Sequence, residues 1–463
     1  MFGATLSRWT LSYFASSLAF LIAGVGLMVE GFGYPFHGIR APETLILVHI
    51  IAIGWLALLM GGALLQFVPV LVARPLWGSG GGLPALLLLL AGLVGLLCGF
   101  AGMAGFGEPP AWLLPFSGLL LIAGFSILVL MLAMTIWQAR PIALPARFVA
   151  VGLACLLAVA FLGGIFTLAF SGMSENDMLL NIAGLSAPIH AALGLGGWMT
   201  FTAMGVSYRL LTMFLLSPDD ERRTTRLVWW AGAAALTVLG AGVAAFAFGQ
   251  DWADVVLLAA LLPGVASVVL YAFDMRAVYR QRKRKAIELN SAASIPAFAA
   301  MVLAILLALA LPWTGPSDPM IGALVYLFVF GWLTGLSLAQ LYKIVPFLTW
   351  LECYGPVMGR VPTPRVQDIV SEKPARRWFC IYYTGVALAT LALGAGYPVA
   401  FQLASALNLI AILALTVHFF RARRLMDVPE AVRLPNGVAI PHLIYAGDRC
   451  QGDQNDSSGT CSL

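Results

Sequence analysis

Charge is scarce in this sequence, and that scarcity decides the class of protein. Asp, Glu, Lys and Arg make up 10% of the 463 residues, whereas 61% are hydrophobic. This composition excludes an ordinary soluble domain, in which about 25% of residues are charged. Most stretches between polar clusters exceed the ~20 apolar residues that a helix needs to cross a bilayer. The sequence therefore predicts an all-α integral membrane protein.

The apolar stretches predict about twelve transmembrane helices. The predicted spans are residues 11–30, 44–72, 83–106, 112–137, 147–172, 180–214, 227–248, 254–274, 292–312, 320–347, 378–397 and 399–420. They form a predicted membrane domain over residues 1–425, and a polar cytoplasmic tail is expected over 426–463.

Basic residues lie almost entirely on one side of these spans. The loops after the even-numbered spans are rich in Arg and Lys, as in the run 276–285, whereas the opposite loops hold Arg40 among several acidic residues. Positive residues mark the cytoplasmic side. We therefore expect a multi-pass protein of the cell's inner (cytoplasmic) membrane with both termini in the cytoplasm. These loops and the lipid headgroups that they face account for the net charge of +5, so we expect no nucleic-acid partner.

Cysteine is also scarce, and its spacing has no metal-site pattern. Of the six cysteines, Cys98, Cys155 and Cys380 lie within or at the ends of spans, where a small buried hydrophobe is the expected role. The other three lie on the predicted cytoplasmic side, where disulfides are not expected.

One pattern occurs three times in this apolar background, with a Gly-Trp pair at its centre. The pairs are Gly54-Trp55, Gly197-Trp198 and Gly331-Trp332, in spans two, six and ten. A polar residue stands eleven positions after each Trp, at Gln66, Arg209 and Lys343. We expect Arg209 and Lys343 to reach the cytoplasmic headgroups. The regular separation of the pairs indicates three four-helix units, at about 11–137, 147–274 and 292–420.

Histidine is scarce too, and two of the five histidines lie inside repeat-bearing spans. His49 precedes Trp55 by six positions, and His190 precedes Trp198 by eight. Both lie about five to ten residues inside their helices, and so roughly 8–15 Å below the outer boundary. Histidine within a membrane is usually functional, and neutral imidazole commonly binds metals and haem iron. The alternative is a packed core residue whose ring bonds to a local carbonyl.

These features resemble subunit I of the haem-copper oxidase superfamily, which has twelve helices in three four-helix arcs and an intramembrane histidine on span two. The string from His49 through Trp55 and Gly61-Gly62-Ala63 to Val68-Pro69 is most similar to the large subunit of nitric oxide reductases. The resemblance implies that His49 is an axial ligand of a low-spin haem b. Small residues such as Gly61-Gly62-Ala63 let helices or a porphyrin approach closely.

The chain departs from that family in most of the other ligands. The family has further histidine ligands on spans seven and ten, and neither span contains a histidine here. Only His49 and His190 remain as candidate metal ligands, so a copper-containing two-metal centre is not expected and no catalytic residue is assigned. For the second axial ligand of haem b the alternatives are His190, Tyr326 at the His49 position of the third repeat, and Met320 nearer the outer surface. Packing is the competing role for Tyr326 and Met320.

Three functions fit these features. The favoured one is a haem-b-binding protein for electron transfer or for nitric oxide or metal handling, with a cytochrome or other respiratory-complex subunits as partners. The second is a non-catalytic scaffold or assembly subunit of a respiratory complex, and the third is a transporter. The repeat Trp residues are expected either to line a haem edge or to pack between helices. Proton pumping is not expected, because Glu30, Asp274 and Lys343 all lie near span boundaries.

Overall fold

The computed structural model describes residues 7–218, 221–248, 252–315, 317–436 and 438–446, and these contain helices and no strand. The helices are α1 Thr10–Val29, α2 Pro42–Val72, α3 Ser79–Met103, α4 Leu113–Trp137, α5 Leu144–Phe170, α6 Asp177–Leu185, α7 Ala187–Leu215, α8 Arg223–Phe246, α9 Ala253–Arg280, α10 Leu289–Thr314, α11 Asp318–Cys353, α12 Glu372–Gly394, α13 Pro398–Arg423 and α14 Glu430–Arg433. The described residues thus confirm the prediction of an all-α protein.

Ten of these helices, counted over the described ranges, are long and apolar enough to cross a membrane. The helices α6 and α7 pass the same test only together, and they meet at a bend of 58°. Pro188 stands at the start of α7, and because proline lacks an amide hydrogen and crowds the preceding turn, it ends α6 there. The helix α12 falls outside the ten, since its first turns carry Arg376 and Arg377. The chain is a multi-pass membrane protein.

Successive spans run in opposite directions, and the loops that join them place most of the basic residues at one end of the bundle. We call the end at which α1 begins the basic end, because the Arg-rich loops lie there, and the opposite end the acidic end. At the basic end the amide of Ser7 donates to Gln66 at 2.8 Å, and the amide of Ala446 donates to the carbonyl of Arg8 at 3.0 Å. The described part of the predicted tail thus packs on the bundle, and residues 447–463 lie outside the described residues.

The glycine of each Gly-Trp pair packs against the helix of the preceding span, which is α1, α5 and α10 in turn. An added Cβ would lie 2.6–2.7 Å from a side chain there, in the pairs Gly54–Phe20, Gly197–Cys155 and Gly331–Ala300. A Cβ at Gly62 or Gly205, seven residues after the Trp, would lie 2.4 Å from a side-chain atom of α1 or α5. Such close backbone contact is a common way for membrane helices to associate. These positions need glycine for helix packing.

Candidate functional site

Each Gly-Trp pair lies in a π-helical segment. The segments are Ile50–Ala57 in α2, Leu193–Phe201 in α7 and Leu327–Thr334 in α11. A π-helix has i→i+5 hydrogen bonds, is rare, and often occurs at functional sites. His49 and Tyr326 directly precede such segments, and His190 lies three residues before one. Three predicted ligands therefore stand at the start of the least regular part of their helices.

The helix α2 holds His49 in one tautomer. Its Nδ1–H donates to the carbonyl oxygen of Leu45 at 2.7 Å, because a carbonyl can only accept. A neutral imidazole carries one ring hydrogen, so Nε2 keeps its lone pair. The ring packs against Phe100 of α3 with 5.2 Å between centroids. The local carbonyl bond that a packed core histidine requires is present, and it leaves Nε2 as an available ligand atom.

His190 has no such bond to its own helix. Its Nδ1 is buried and has no hydrogen-bond partner among the described residues. The ring packs against Phe166 of α5 at 5.1 Å between centroids, and Gly163 presents no side chain beside it. A buried polar atom without a partner costs about 1–3 kcal/mol. This cost disfavours a purely packing role for His190.

The structure brings His49 and His190 together. The two imidazoles lie within electrostatic reach of each other, although their spacings from the repeat Trp differ by two residues. Both rings lie deep in the bundle, yet neither is fully covered by neighbouring atoms. The helix α5, which carries Gly163 and Phe166, packs against both α2 and α7. The pair is therefore bounded by α2, α5 and α7.

Tyr326 has contacts with a different part of the bundle. Its hydroxyl accepts a hydrogen bond from Nδ2 of Asn408 in α13 at 2.7 Å, and its ring stacks on Phe330 at 4.6 Å. Phe401 meets the same ring edge-on at 5.4 Å. Met320 lies in the first turn of α11 and is partly buried. These contacts give Tyr326 a packing environment of its own, and the ligand role of either residue stays a prediction.

Two of the repeat Trp residues join neighbouring helices. Nε1 of Trp55 in α2 donates to Oγ1 of Thr334 in α11 at 2.9 Å. Nε1 of Trp332 in α11 donates to Oγ1 of Thr200 in α7 at 3.1 Å. The Nε1 of Trp198 is buried and has no partner among the described residues. Trp55 and Trp332 thus have the packing role that was one of the two alternatives.

Lys343 pairs with a carboxylate at the basic end, and its reach to the lipid headgroups stays a prediction. Its Nζ lies 2.7 Å from Oε2 of Glu288, the residue before α10, and Arg284 pairs with the same carboxylate. Gln367 also donates to it. Burial raises the pKa of the Glu288 carboxyl, but the hydrogen bond and charge of Lys343 outweigh burial and hold that pKa below its ordinary value. Glu288 thus joins α10 to α11 at the basic end.

Asp274, which the sequence placed only near a span boundary, is a second buried carboxylate. It lies in α9, is 3% exposed, and accepts hydrogen bonds from the hydroxyl of Tyr208 in α7 at 2.8 Å and from Thr225 in α8 at 3.1 Å. Thr224 donates to its other oxygen at 2.5 Å. Both threonines stand in the first turn of α8, where the helix dipole favours a negative charge. Asp274 therefore ties three helices together near the basic end.

In the part of the chain that the structure describes, no three His, Cys, Asp or Glu side chains group as a metal site. The predicted ligands His49 and His190 are thus a pair without a third ligand of these kinds. Compared with models of known protein families and with curated protein sequences, the chain matches none.

Proposed function

We propose that the chain is a haem-b-binding protein with the fold of haem-copper oxidase subunit I, in which His49 and His190 are both axial ligands. The proposal includes twelve spans in three four-helix units, placed in the inner membrane with both termini in the cytoplasm. The Gly-Trp pairs support the three units, because all three lie in π-helical segments and pack against the preceding helix.

The observation that carries the proposal is a pair of half-buried imidazoles from separate helices within electrostatic reach of each other, with no third His, Cys, Asp or Glu ligand in the described chain. A bare Zn²⁺ ion needs about four protein ligands or bound waters, and its charge is costly to bury in an apolar bundle. The porphyrin of a haem supplies four nitrogen ligands and neutralises the charge of ferrous iron. Two imidazoles are then enough to complete the coordination of the iron. The donor set therefore fits haem better than a bare metal ion.

The residues around the pair prepare it for this role. The Leu45 carbonyl fixes the tautomer of His49 and increases the basicity of Nε2, as partners of metal-bound histidines commonly do. Phe100 and Phe166 pack on the two rings and give them apolar neighbours. A haem held by His49 and His190 would supply one-electron transfer. A cytochrome or another respiratory-complex subunit is the expected electron partner.

The test is the visible spectrum of the protein, purified in detergent after expression with ample haem. We expect about one haem per chain, with a Soret band that shifts and sharpens when dithionite is added. His49→Ala and His190→Ala should each abolish the low-spin spectrum. His418→Ala is the matched control, because His418 is also a buried histidine within a span, and it should leave the spectrum unchanged.

Two results contradict the proposal in different ways. A wild-type protein without stoichiometric haem would favour the non-catalytic scaffold. Haem whose low-spin spectrum survives His190→Ala would retain the haem protein but remove His190 as a ligand, and Tyr326 and Met320 would then be tested in turn.

A further inference from the structure

The two Trp–Thr hydrogen bonds follow one rule of position. Trp55 donates to Thr334, which stands two residues after Trp332, and Trp332 donates to Thr200, two residues after Trp198. Each Trp thus bonds to the second residue after the Trp of another repeat, in the order α2, α11, α7. Applied once more, the rule pairs Trp198 of α7 with residue 57 of α2 and closes a ring of three helices.

Residue 57 is an alanine, which offers no side-chain acceptor. Ala57 is as buried as Thr200 and Thr334, at 3% exposed against 5% and 0%. The indole of Trp198 is 2% exposed, and its Nε1 has no partner among the described residues. The three positions are therefore similarly buried, and residue 57 lacks the hydroxyl and the methyl group that threonine has at the other two. The ring lacks a single link, the one between α7 and α2.

We propose that this open link is a joint at which α2 and α7 move relative to each other while α11 holds both. A hydrogen bond between membrane helices changes their association by about threefold on average, and the α2–α7 pair lacks the bond that the other two pairs have. The halves of α2 and α7 nearer the basic end still pack on each other, beside Leu64 and Val206. The joint thus lies between that packed half and the two histidines.

The position of the joint gives it a function. His49 and His190 lie on the acidic-end side of the Trp layer, on the two helices that the ring leaves unlinked. A movement of α2 relative to α7 at the joint would therefore change the separation of the two histidines. The joint follows from the Trp–Thr bonds alone and does not depend on haem being the occupant.

The missing link is tested by supplying it. Ala57→Thr adds the acceptor, and Ala57→Val is the matched control, because valine has nearly the same shape without the hydroxyl. Each variant is made with Trp198 present and in the Trp198→Phe background, and the unfolding equilibrium is measured in mixed detergent. With Trp198 present, we expect the folded-to-unfolded ratio of Ala57→Thr to be about threefold higher than that of Ala57→Val. In the Trp198→Phe background, we expect the two variants to have equal ratios. The same ratio in both backgrounds would overturn the ring.

The joint is tested by distances between spin labels at exposed positions of a variant whose native cysteines are replaced by serine. Val48 in α2, Ala191 in α7 and Val325 in α11 are exposed and lie beside the predicted ligands. Pulsed electron paramagnetic resonance should give a broader distribution of label-to-label distances for the pair Val48–Ala191 than for the pair Val48–Val325. Ala57→Thr should narrow only the first of these two distributions. Equal widths, or no narrowing, would overturn the joint. If Ala57→Thr does not fold, Thr200→Val is used instead, because it removes the hydrogen bond between Trp332 and Thr200. This variant must broaden the distance distribution of the pair Ala191–Val325.

Discussion

Removing the charge of Glu288 should destabilise the protein in a pH-dependent way. Glu288→Gln keeps the shape of the side chain but leaves Lys343 and Arg284 without their shared anion. The Glu288 side chain is 10% exposed and that of Lys343 is 17% exposed, so the pair lies between a surface pair and a buried one. Surface pairs contribute up to about 1 kcal/mol and breaking a buried pair costs about 3–5 kcal/mol, so we expect a loss of about 2 kcal/mol at pH 7.

The sign of the pH dependence follows from the depressed pKa of this carboxyl. A glutamate whose folded pKa is lowered contributes its full stability above the unfolded value, about 4.3, and loses it as pH falls through the folded value. The difference between wild type and Glu288→Gln should therefore stay constant near neutrality and shrink below about pH 4. Chemical unfolding in detergent at a series of pH values measures it.

The matched control is Glu221→Gln, since Glu221 pairs with Arg226 at 3.4 Å where both side chains are exposed. This change should stay within about 0.5 kcal/mol at every pH. Our account of Glu288 would be refuted if Glu288→Gln were as stable as wild type at pH 7, or if its deficit persisted undiminished at low pH.

Three further predictions use the same unfolding measurement. Asp274→Ala should lose about 3 kcal/mol, because three hydroxyl donors lose a charged acceptor, and an unchanged stability would contradict its role in joining α7, α8 and α9. Gly62→Ala should cost about 1–3 kcal/mol through overpacking, whereas Gly240→Ala, where a Cβ meets nothing within 4 Å, should be neutral or stabilising. Thr334→Val and Trp55→Phe should be non-additive, with a coupling of about 0.6 kcal/mol, and additive losses would mean that their hydrogen bond contributes nothing.

Hydropathy was enough to predict an all-helical membrane protein, whereas the three four-helix units stay a prediction. Helices occupy each of the predicted spans, because bilayer thickness dictates the length of apolar segments. The deviations are local: Pro188 splits one span at a bend, and the arginines at the start of α12 reduce its apolarity. The glycines that the repeat singled out proved to be sites of close packing against a preceding helix.

The arrangement of the site was less predictable. The spacings of His49 and His190 from the repeat Trp differ by two residues, yet the two imidazoles lie within electrostatic reach of each other. The relative positions of residues in α2 and α7 cannot be counted at 3.6 residues per turn. A π-helical segment with i→i+5 bonds lies between each histidine and the end of its helix. The acceptors of the Trp donors were also hidden, since Thr334 and Thr200 are far from Trp55 and Trp332 in sequence.

The burial of two carboxylates was not predicted, for another reason. Asp274 and Glu288 stand near the ends of apolar segments, where an acidic residue ordinarily marks the edge of the membrane. Their burial depends on threonines at the start of α8 and on Lys343 and Gln367, which come from other parts of the chain. Only the packed structure brings these partners together.

The central claim is that His49 and His190 ligate one haem, and the spin state of the ferric protein tests it most directly. With imidazole on both axial positions, the electron paramagnetic resonance spectrum of the wild type should be low-spin. It should become high-spin, or disappear with the haem, in His49→Ala and in His190→Ala, and should persist in His418→Ala. A high-spin wild type, or a low-spin signal that survives His190→Ala, would contradict the claim.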